Sequence, residues 1–244
     1  MKIRIAGRVA EIKPIHPLVE NRCAEYLSED ELDFSVTVTP ADIALERDKC
    51  AREDAREDRP FLSRNDAQLE MTAVQRKIAE NLFDYDTILV HGSVVAVDGA
   101  AYLFTAKSGT GKSTHTALWC DVFGSRAVMV NDDKPFLRIT EDGVLVYGSP
   151  WCGKHDRGSN VCVPLKAICI LERGAENRIR PIAAKEALFM LLQQSNRPMS
   201  PSRMPGYLDL IDKLTKQVSF YRMVCNMDPE AARMSYHAMS AREE

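Results

Sequence analysis

The chain has 244 residues, of which 45% are hydrophobic and 27% are charged, and its formal net charge is −3. This composition is typical of a globular protein that is long enough to bury the core of one large domain or two small ones. The nearly balanced charge predicts no general attraction to nucleic acid or to a membrane surface, and no apolar run approaches the length of a membrane span.

The cysteines and the first residues of the chain indicate in which cellular compartment the protein functions. The seven cysteines are odd in number and form no Cys-x-x-Cys pair, so we expect reduced core residues and no disulfide or zinc site. The charged start Met-Lys-Ile-Arg is unlike a signal peptide. These features together predict a cytoplasmic protein. The cysteines are Cys23, Cys50, Cys120, Cys152, Cys162, Cys169 and Cys225.

The first third of the chain predicts a small mixture of strands and helices. We expect one strand over residues 2–15 with a break near Gly7, a short helix over 17–26, and a half-buried strand over 33–38. Residues 44–59 carry charges of both signs, which favours a solvated helix or a mobile segment over a phosphate site. A clearer helix is predicted over 65–83, with Asn65 as its cap.

The middle of the chain predicts a hairpin that leads into a phosphate loop. Residues 87–97 form an apolar strand that is broken at His91-Gly92, and Asp98-Gly99 is a hairpin turn signal. A buried strand over 101–105 follows, then a glycine-containing loop, then a helix over 114–123. This order of strand, loop and helix is the structural context that a P-loop requires.

The loop itself has the residues that bind nucleotide phosphates. Gly109 and Gly111 permit backbone conformations in which successive N–H groups surround an anion, next to the positive end of a helix dipole. Lys112 would reach the β- and γ-phosphates, and the Ser113 hydroxyl would bind Mg²⁺. We therefore expect ATP and Mg²⁺ as cofactors. An ordinary glycine turn is the alternative, but it leaves the Lys-Ser pair at this spacing unexplained. The predicted phosphate-binding set is Ser108, Gly109, Thr110, Gly111, Lys112, Ser113 and Thr114.

Two adjacent carboxylates follow the next strand. Residues 127–130 predict a buried strand that ends at Asn131-Asp132-Asp133. Successive side chains point in different directions, so one carboxylate can hold the metal while the other accepts a proton from a hydroxyl. A polar turn is the alternative, and the phosphate loop one helix earlier favours the functional interpretation.

Four further residues are candidates for the site. His91 interrupts an apolar strand next to the loop, although a lone histidine there is more often a hydrogen-bonded core residue. Lys154, Arg157 and Arg173 could bind the substrate or the γ-phosphate, although an individual cation of this kind is more often a surface charge. Trp151 and Cys152 are expected to be packing residues.

The rest of the chain predicts further strands and helices. An Asp142-Gly143 turn joins two strands, and an aspartate-proline pair at 228–229 predicts a capped start for the last helix, which runs to Met239. Residues 149–160 and 196–205 are predicted to be irregular. The expected strands are 136–140, 144–147, 163–171 and 219–225, and the expected helices are 185–194 and 207–217.

These elements predict an α/β fold in two parts. Because hairpins flank the phosphate loop, we expect a mixed sheet and not a purely parallel doubly wound one. Residues 1–83 are predicted to form an N-terminal α+β lobe, and residues 84–244 a P-loop kinase-like core with C-terminal helices.

The motifs resemble one known family. His91-Gly92, the run Ser108 to Ser113 and Asn131-Asp132-Asp133 are similar to the catalytic domain of HPr kinase/phosphorylase, and more narrowly to small stand-alone bacterial HPr-kinase-like proteins. The resemblance spans roughly residues 85–239. It implies a mixed-sheet P-loop core of the HPr kinase/phosphoenolpyruvate carboxykinase type.

The same resemblance implies roles for individual residues. Asp132 would be the catalytic base, acting with Lys112 and with His91 beside the transferred phosphate. Ser113 and Asp133 would hold Mg²⁺. The implied activity is that of an ATP-dependent kinase.

Three functional hypotheses remain open at this point. The first is transfer of the γ-phosphate to a Ser/Thr-type hydroxyl on a peptide, a small protein or a small molecule. The second is a regulatory module that binds nucleotide without turnover, and the third is a carboxykinase-like enzyme that depends on Mn²⁺. No nucleic acid or membrane partner is expected, and the sequence does not specify an oligomeric state.

Overall fold

The computed structural model describes residues 1–56 and 64–241. The chain forms two compact units, Met1–Leu82 and Phe83–Glu244. In the described ranges, no helix combines the length and the apolar character needed to cross a membrane.

The first unit contains a three-stranded sheet in the order β1-β2-β3. The strands are β1 (Lys2–Ile5), β2 (Arg8–Ile12) and β3 (Phe34–Val36). The predicted break near Gly7 is confirmed, but residues 2–15 do not form one strand, because the chain reverses at Ala6-Gly7, whose φ angles are 48° and 71°. Strands β1 and β2 therefore pair antiparallel, while β3 lies parallel to β2.

Three helices complete the first unit: α1 (Pro17–Arg22), α2 (Pro40–Arg56) and α3 (Asp66–Leu82). The predicted cap of α3 is confirmed, since the Gln68 N–H donates to Asn65 Oδ1 at 2.9 Å. Such a bond satisfies one of the backbone donors that a helix leaves free in its first turn.

The charged segment 44–59 is helical in its described part, and residues 57–59 lie outside the described ranges. It is less solvated than its composition predicts. Glu46 is only 3% exposed and accepts a hydrogen bond from Arg76 Nε of α3 at 2.5 Å. The physical reason is charge complementarity, because α3 supplies the cation that allows a carboxylate to be buried.

The second unit has nine strands within the described residues, joined through one long strand, β10 (Cys162–Arg173). The first residues of β10 pair antiparallel with β9, and its later residues pair parallel with β6 and β12. The predicted mixed sheet is thus confirmed. The other strands are β4 (Thr87–Leu89), β5 (Ser93–Val97), β6 (Ala100–Thr105), β7 (Ala127–Asn131), β8 (Phe136–Ile139), β9 (Val144–Tyr147), β11 (Arg178–Ile182) and β12 (Ser219–Cys225).

Strand direction determines which chain ends meet at the same edge of this sheet. Strand β5 pairs antiparallel with β6 on one side and with β7 on the other. Consequently β6 and β7 run in the same direction, and their carboxyl ends lie at the same edge as the amino end of β5.

Helices cover both faces of the sheet. Alternate residues of β5 point to opposite sides, with Val94 in one apolar core and Val95 in the other. The first core also contains Tyr207 and Leu214, whereas the second contains Trp119. The helices are α4 (Lys112–Phe123) and α7 (Pro229–Ser240) in the Trp119 core, and α5 (Ala184–Gln194) and α6 (Met204–Gln217) in the Tyr207 core.

Four sequence predictions for the second unit need correction. Strand β7 is an edge strand with Val128 41% exposed, because only β5 pairs with it among the described residues. Strand β11 was not predicted, since its exposed arginines lack an apolar pattern. Asp228 precedes α7 without a side-chain capping bond. The expected core position of the cysteines holds for Cys23, Cys152 and Cys169, whereas Cys162 is exposed and the other three are half-buried.

Candidate functional site

The loop between β6 and α4, residues 106–111, contains two glycines with positive φ; we call it the glycine loop. Gly109 and Gly111 have φ angles of 76° and 117°. A Cβ atom added at either glycine would meet nothing within 4 Å, so backbone conformation and not space requires glycine here. Gly111 immediately precedes α4. The free N–H groups of the first helical turn therefore adjoin the loop.

Lys112 reaches back across the glycine loop. Its Nζ donates to the Ala106 carbonyl at 3.1 Å, and the residue is only 8% exposed. Burial lowers the pKa of Lys112, while the negative charges of Asp133 and Asp132 oppose that shift. The lysine is thus a partly desolvated cation between the glycine loop and the two aspartates.

Asn131, the last residue of β7, shapes the turn that carries these aspartates; we call residues 131–134 the acidic turn. Asn131 Oδ1 accepts hydrogen bonds from the N–H groups of Asp133 and Lys134, at 2.9 and 2.6 Å. Its Nδ2 donates to the Ser149 carbonyl at 3.1 Å and to Ser149 Oγ at 3.0 Å. A fully buried amide therefore determines the conformation of the acidic turn.

The two carboxylates of the acidic turn have different environments. Asp132 is 6% exposed, and its Oδ1 accepts a hydrogen bond from Ser93 Oγ at 2.7 Å. The Asp133 side chain is 32% exposed, and its Oδ1 lies 3.3 Å from His91 Nε2. Burial raises the pKa of Asp133, but the His91 hydrogen bond and the charges of Lys134 and Lys112 outweigh it and leave that pKa below its usual value. Asp133 is therefore an ionised group that can bind a cation.

His91 and Gly92 lie between the end of β6 and the acidic turn. The Gly92 N–H donates to the Asp133 carbonyl at 3.1 Å, and Thr105 Oγ1 donates to the His91 carbonyl at 3.0 Å. The His91 N–H donates to the carbonyl of Gln194 at 2.6 Å. The break in the predicted strand is thus a point where three backbone segments are hydrogen bonded together.

The segment 148–160 packs against the acidic turn. The Arg157 carbonyl accepts a hydrogen bond from the Asp132 N–H at 3.1 Å, and the Arg157 side chain is exposed. A Cβ atom on Gly158 would lie 2.4 Å from Cys152 Sγ, so this close approach requires glycine. The backbone of Lys154 belongs to a short 3₁₀ turn, and its side chain lies outside the described part of the structure.

Arg173, the last residue of β10, contacts the glycine loop directly. Its guanidinium donates to the Thr110 carbonyl from Nε at 3.0 Å and to the Gly109 carbonyl from a terminal nitrogen. The remaining predicted phosphate ligands in and after the glycine loop differ in burial: Ser108 and Thr114 are exposed, and Ser113 is half-buried. The structure therefore brings Arg173 to the carbonyls of the glycine loop.

Two polar residues of this region, Ser93 and Thr116, were not singled out by sequence reasoning, and a third, Asn131, was named only as part of the Asn131-Asp132-Asp133 motif. Ser93 and Thr116 are fully buried and join Asp132 to helix α4, and Asn131 shapes the acidic turn. A signal for Ser93 exists in the sequence, because it is a hydroxyl residue inside an otherwise apolar strand. Its contact with Asp132, the residue that follows β7, depends on sheet register, which the sequence does not show.

Comparison with known proteins gives one family match. The family model described as SynChlorMet cassette protein ScmC matches residues 58–228, more than half of the chain. No curated protein matches the chain significantly. Among solved structures, the chain is similar to the Hpr(Ser) kinase/phosphatase from Coxiella burnetii, with 12% sequence identity and a TM-score of 0.36. That similarity covers 63% of this chain and 99% of the other, and at this TM-score it carries no argument about function.

Proposed function

The chain belongs to the family of the SynChlorMet cassette protein ScmC, and we propose that it is an ATP-dependent phosphotransferase. The proposed reaction moves the γ-phosphate of ATP to a Ser/Thr-type hydroxyl on a peptide, a small protein or a small molecule. One observation carries the proposal: the glycine loop and the acidic turn lie at the same edge of the sheet, on either side of the amino end of β5.

The glycine loop supports the nucleotide part of the proposal. Its left-handed glycines and the start of α4 provide backbone donors for an anion. Lys112 Nζ, which donates to the Ala106 carbonyl, is the cation that would turn to the β- and γ-phosphates. We propose that residues 108–114 bind the phosphates in this way.

The donor set also fits a magnesium ion. Mg²⁺ prefers oxygen ligands and commonly takes one or two carboxylates or hydroxyls from the protein, with phosphate and water completing its shell. Asp133 is held ionised, and Ser113 is at the first turn of α4. In the proposed complex, these two residues would hold the metal, and the metal would supply positive charge that offsets the negative charge developing on the transferred group.

Asp132 supplies the base in this proposal. Its Oδ1 already accepts from Ser93, and no described residue donates to its Oδ2. The acceptor hydroxyl gives its proton to Asp132 as its oxygen bonds to the γ-phosphorus. The bond from that phosphorus to the β,γ-bridging oxygen breaks, so the products are a phosphate ester and ADP.

His91 has a supporting role in the same arrangement. Its Nε2 lies 3.3 Å from Asp133 Oδ1, so it orients that carboxylate for the metal. Its backbone is fastened on both sides by hydrogen bonds to Thr105 and Gln194. The imidazole therefore stays next to the proposed position of the transferred phosphate.

The test is transfer of label from γ-labelled ATP with Mg²⁺ to a panel of hydroxyl-bearing peptides, proteins and small molecules. The unmodified protein is expected to label one acceptor class, and Lys112→Ala is expected to abolish the labelling. Lys216→Ala, an exposed lysine on α6, is the matched control and should retain activity. Tight ATP binding without transfer to any acceptor would contradict the proposal and favour a regulatory nucleotide-binding module.

A further inference from the structure

Ser93 links the two halves of the candidate site through buried hydroxyl groups. It is the first residue of β5 and is 0% exposed. Its Oγ donates to Asp132 Oδ1 at 2.7 Å and lies 2.7 Å from Thr116 Oγ1. Thr116 is also 0% exposed and lies in α4, one turn after Lys112. One continuous hydrogen-bonded path therefore runs from the helix that follows the glycine loop to the proposed base.

The number of hydroxyl protons available determines which group donates in each hydrogen bond of this path. A carboxylate only accepts hydrogen bonds, so the single proton of the Ser93 hydroxyl is donated to Asp132. Ser93 can then only accept from Thr116, which must donate its own proton to Ser93. The helix carbonyls of Lys112 and Ser113, both 3.3 Å from Thr116 Oγ1, are the competing acceptors and are farther away. The path is thus polarised from Thr116 through Ser93 to Asp132.

Packing alone does not account for a serine at this position. Residues 94–97 of the same strand are apolar and buried, and a buried hydroxyl lowers stability unless its hydrogen bonds are satisfied. Both partners of Ser93 belong to elements of the candidate site, namely α4 and the acidic turn. The geometry therefore indicates that the hydroxyl serves the arrangement of the site.

We propose that Ser93 is a positioning residue that acts through Asp132. It ties Asp132 Oδ1 to α4, so that Oδ2 is held at a constant separation from a phosphate bound in the glycine loop. Thr116 joins Ser93 to helix α4 by a hydrogen bond and therefore helps to position Asp132 in the same way. This inference rests on the proposed phosphotransfer, because the separation matters only when a proton moves to Asp132.

The experiment is a double-mutant cycle between Ser93→Ala and Asp132→Asn, read as kcat for labelled transfer alongside the Kd for Mg-ATP. A misplacement of about 1 Å in a catalytic group can lower a rate by about 100-fold. Ser93→Ala is therefore expected to lower kcat by about 10- to 100-fold. The Kd for Mg-ATP should stay within about twofold, because the phosphate-binding groups are unchanged. In the Asp132→Asn background, the same substitution should lower the residual kcat by less than about twofold, since Ser93 then has no base to position.

Thr116 supplies a matched pair of variants. Thr116→Val keeps the shape and removes the hydroxyl, so it should lower kcat as Ser93→Ala does. Thr116→Ser keeps the hydroxyl and should retain kcat within about threefold. Circular dichroism and thermal unfolding of each variant identify any that fail to fold. If Ser93→Ala is among these, the comparison of Thr116→Val with Thr116→Ser tests the proposal instead.

The outcomes separate the two proposals. A loss of equal factor in both Asp132 backgrounds, or a rise in Kd with kcat unchanged, overturns the positioning role while leaving phosphotransfer intact. Absence of transfer by the unmodified protein overturns the proposed function and, with it, this role.

Discussion

Arg173 Nε lies 3.0 Å from the carbonyl oxygen of Thr110, and the same guanidinium donates to the carbonyl of Gly109. The end of strand β10 thereby fixes the direction of two successive carbonyls of the glycine loop. The N–H between these two carbonyls, that of Thr110, donates to the Lys107 carbonyl at 3.3 Å, so the peptide unit between Gly109 and Thr110 is fixed at both its N–H and its carbonyl. This contact indicates that Arg173 orders the glycine loop, while the substrate-binding role predicted from sequence stays a prediction.

Removing the Arg173 side chain is therefore expected to weaken nucleotide binding. Arg173→Ala should raise the Kd for Mg-ATP by about tenfold, since two charge-assisted hydrogen bonds at an exposed position are lost. Arg173→Lys should give an intermediate Kd, because an ammonium group cannot hold both carbonyls in the same fork. Calorimetric titration measures the effect, and Arg178→Ala is the exposed control. If Arg173→Ala raises only the KM for the acceptor, the sequence-based role is favoured and the loop-ordering role is wrong.

Gly111→Ala tests the conformation of the glycine loop. The φ of Gly111 is 117°, a region that costs an L-residue about 1–2 kcal/mol or more. We expect a lower midpoint of urea unfolding and a loss of Mg-ATP binding, because the loop must relax to avoid the strain. Gly206→Ala is a matched control in helix α6, where an added Cβ would lie at an ordinary 3.5 Å from Phe83. Unchanged nucleotide affinity in Gly111→Ala would show that the loop conformation is not needed for binding.

Asn131→Ala should destabilise the protein and disable the site together. The substitution leaves the N–H groups of Asp133 and Lys134 without their acceptor and removes two bonds to Ser149. The expected loss is about 2–3 kcal/mol of unfolding free energy in urea titrations. Asn226→Ala, at a more exposed turn, is the comparison variant and should cost less. A loss below about 0.5 kcal/mol for Asn131→Ala would contradict the organising role of this amide.

His115 makes stability depend on pH. It is 2% exposed, packs beside Phe104, and shares hydrogen bonds with Trp119 and Ser235. Burial lowers the pKa of His115 from 6.5 to about 4. Above pH 6.5 both folded and unfolded chains carry a neutral imidazole. As the pH falls from 6.5 to 4, the unfolded chain binds a proton that the folded chain does not, so the free energy of unfolding decreases by up to about 3 kcal/mol.

His115→Gln should remove this contribution to acid sensitivity. The variant should lose less unfolding free energy than the unmodified protein between pH 6.5 and pH 4, as measured by urea titration at each pH. His237→Gln, at an exposed position of α7, should leave the pH dependence unchanged. Identical pH profiles for His115→Gln and the unmodified protein would show that His115 is protonated as easily in the folded state as in the unfolded one.

Local sequence patterns were sufficient for features that depend on a few neighbouring residues. The Asp98-Gly99 turn between β5 and β6 is an example, because two residues alone determine this type of hairpin turn. The mixed sheet followed from two such turns. Strand β11 was missed because it is stabilised by pairing with β12 and has an exposed surface, which leaves no apolar alternation to detect.

The bond between Ser93 and Asp132 lay beyond sequence reasoning for a different reason. The two residues are 39 positions apart, and they meet because β5 pairs with β7 through a register shift between Val94 and Val95. The contact of Arg173 with Thr110 likewise depends on β10 lying parallel to β6 across 63 residues of chain. Long-range register arises from the packing of the whole sheet, so these partners became visible only in the structure.

The most direct test of the central claim is the Kd for Mg-ATP and the rate of phosphotransfer, measured together for Lys112→Ala and Asp132→Asn. We expect Lys112→Ala to lose both its affinity for Mg-ATP and its phosphotransfer activity. Asp132→Asn should bind Mg-ATP within about threefold of the unmodified protein and lose transfer by at least about 100-fold. The surface variant Asp142→Asn should change neither quantity. Full transfer activity in a folded Asp132→Asn variant would contradict the account.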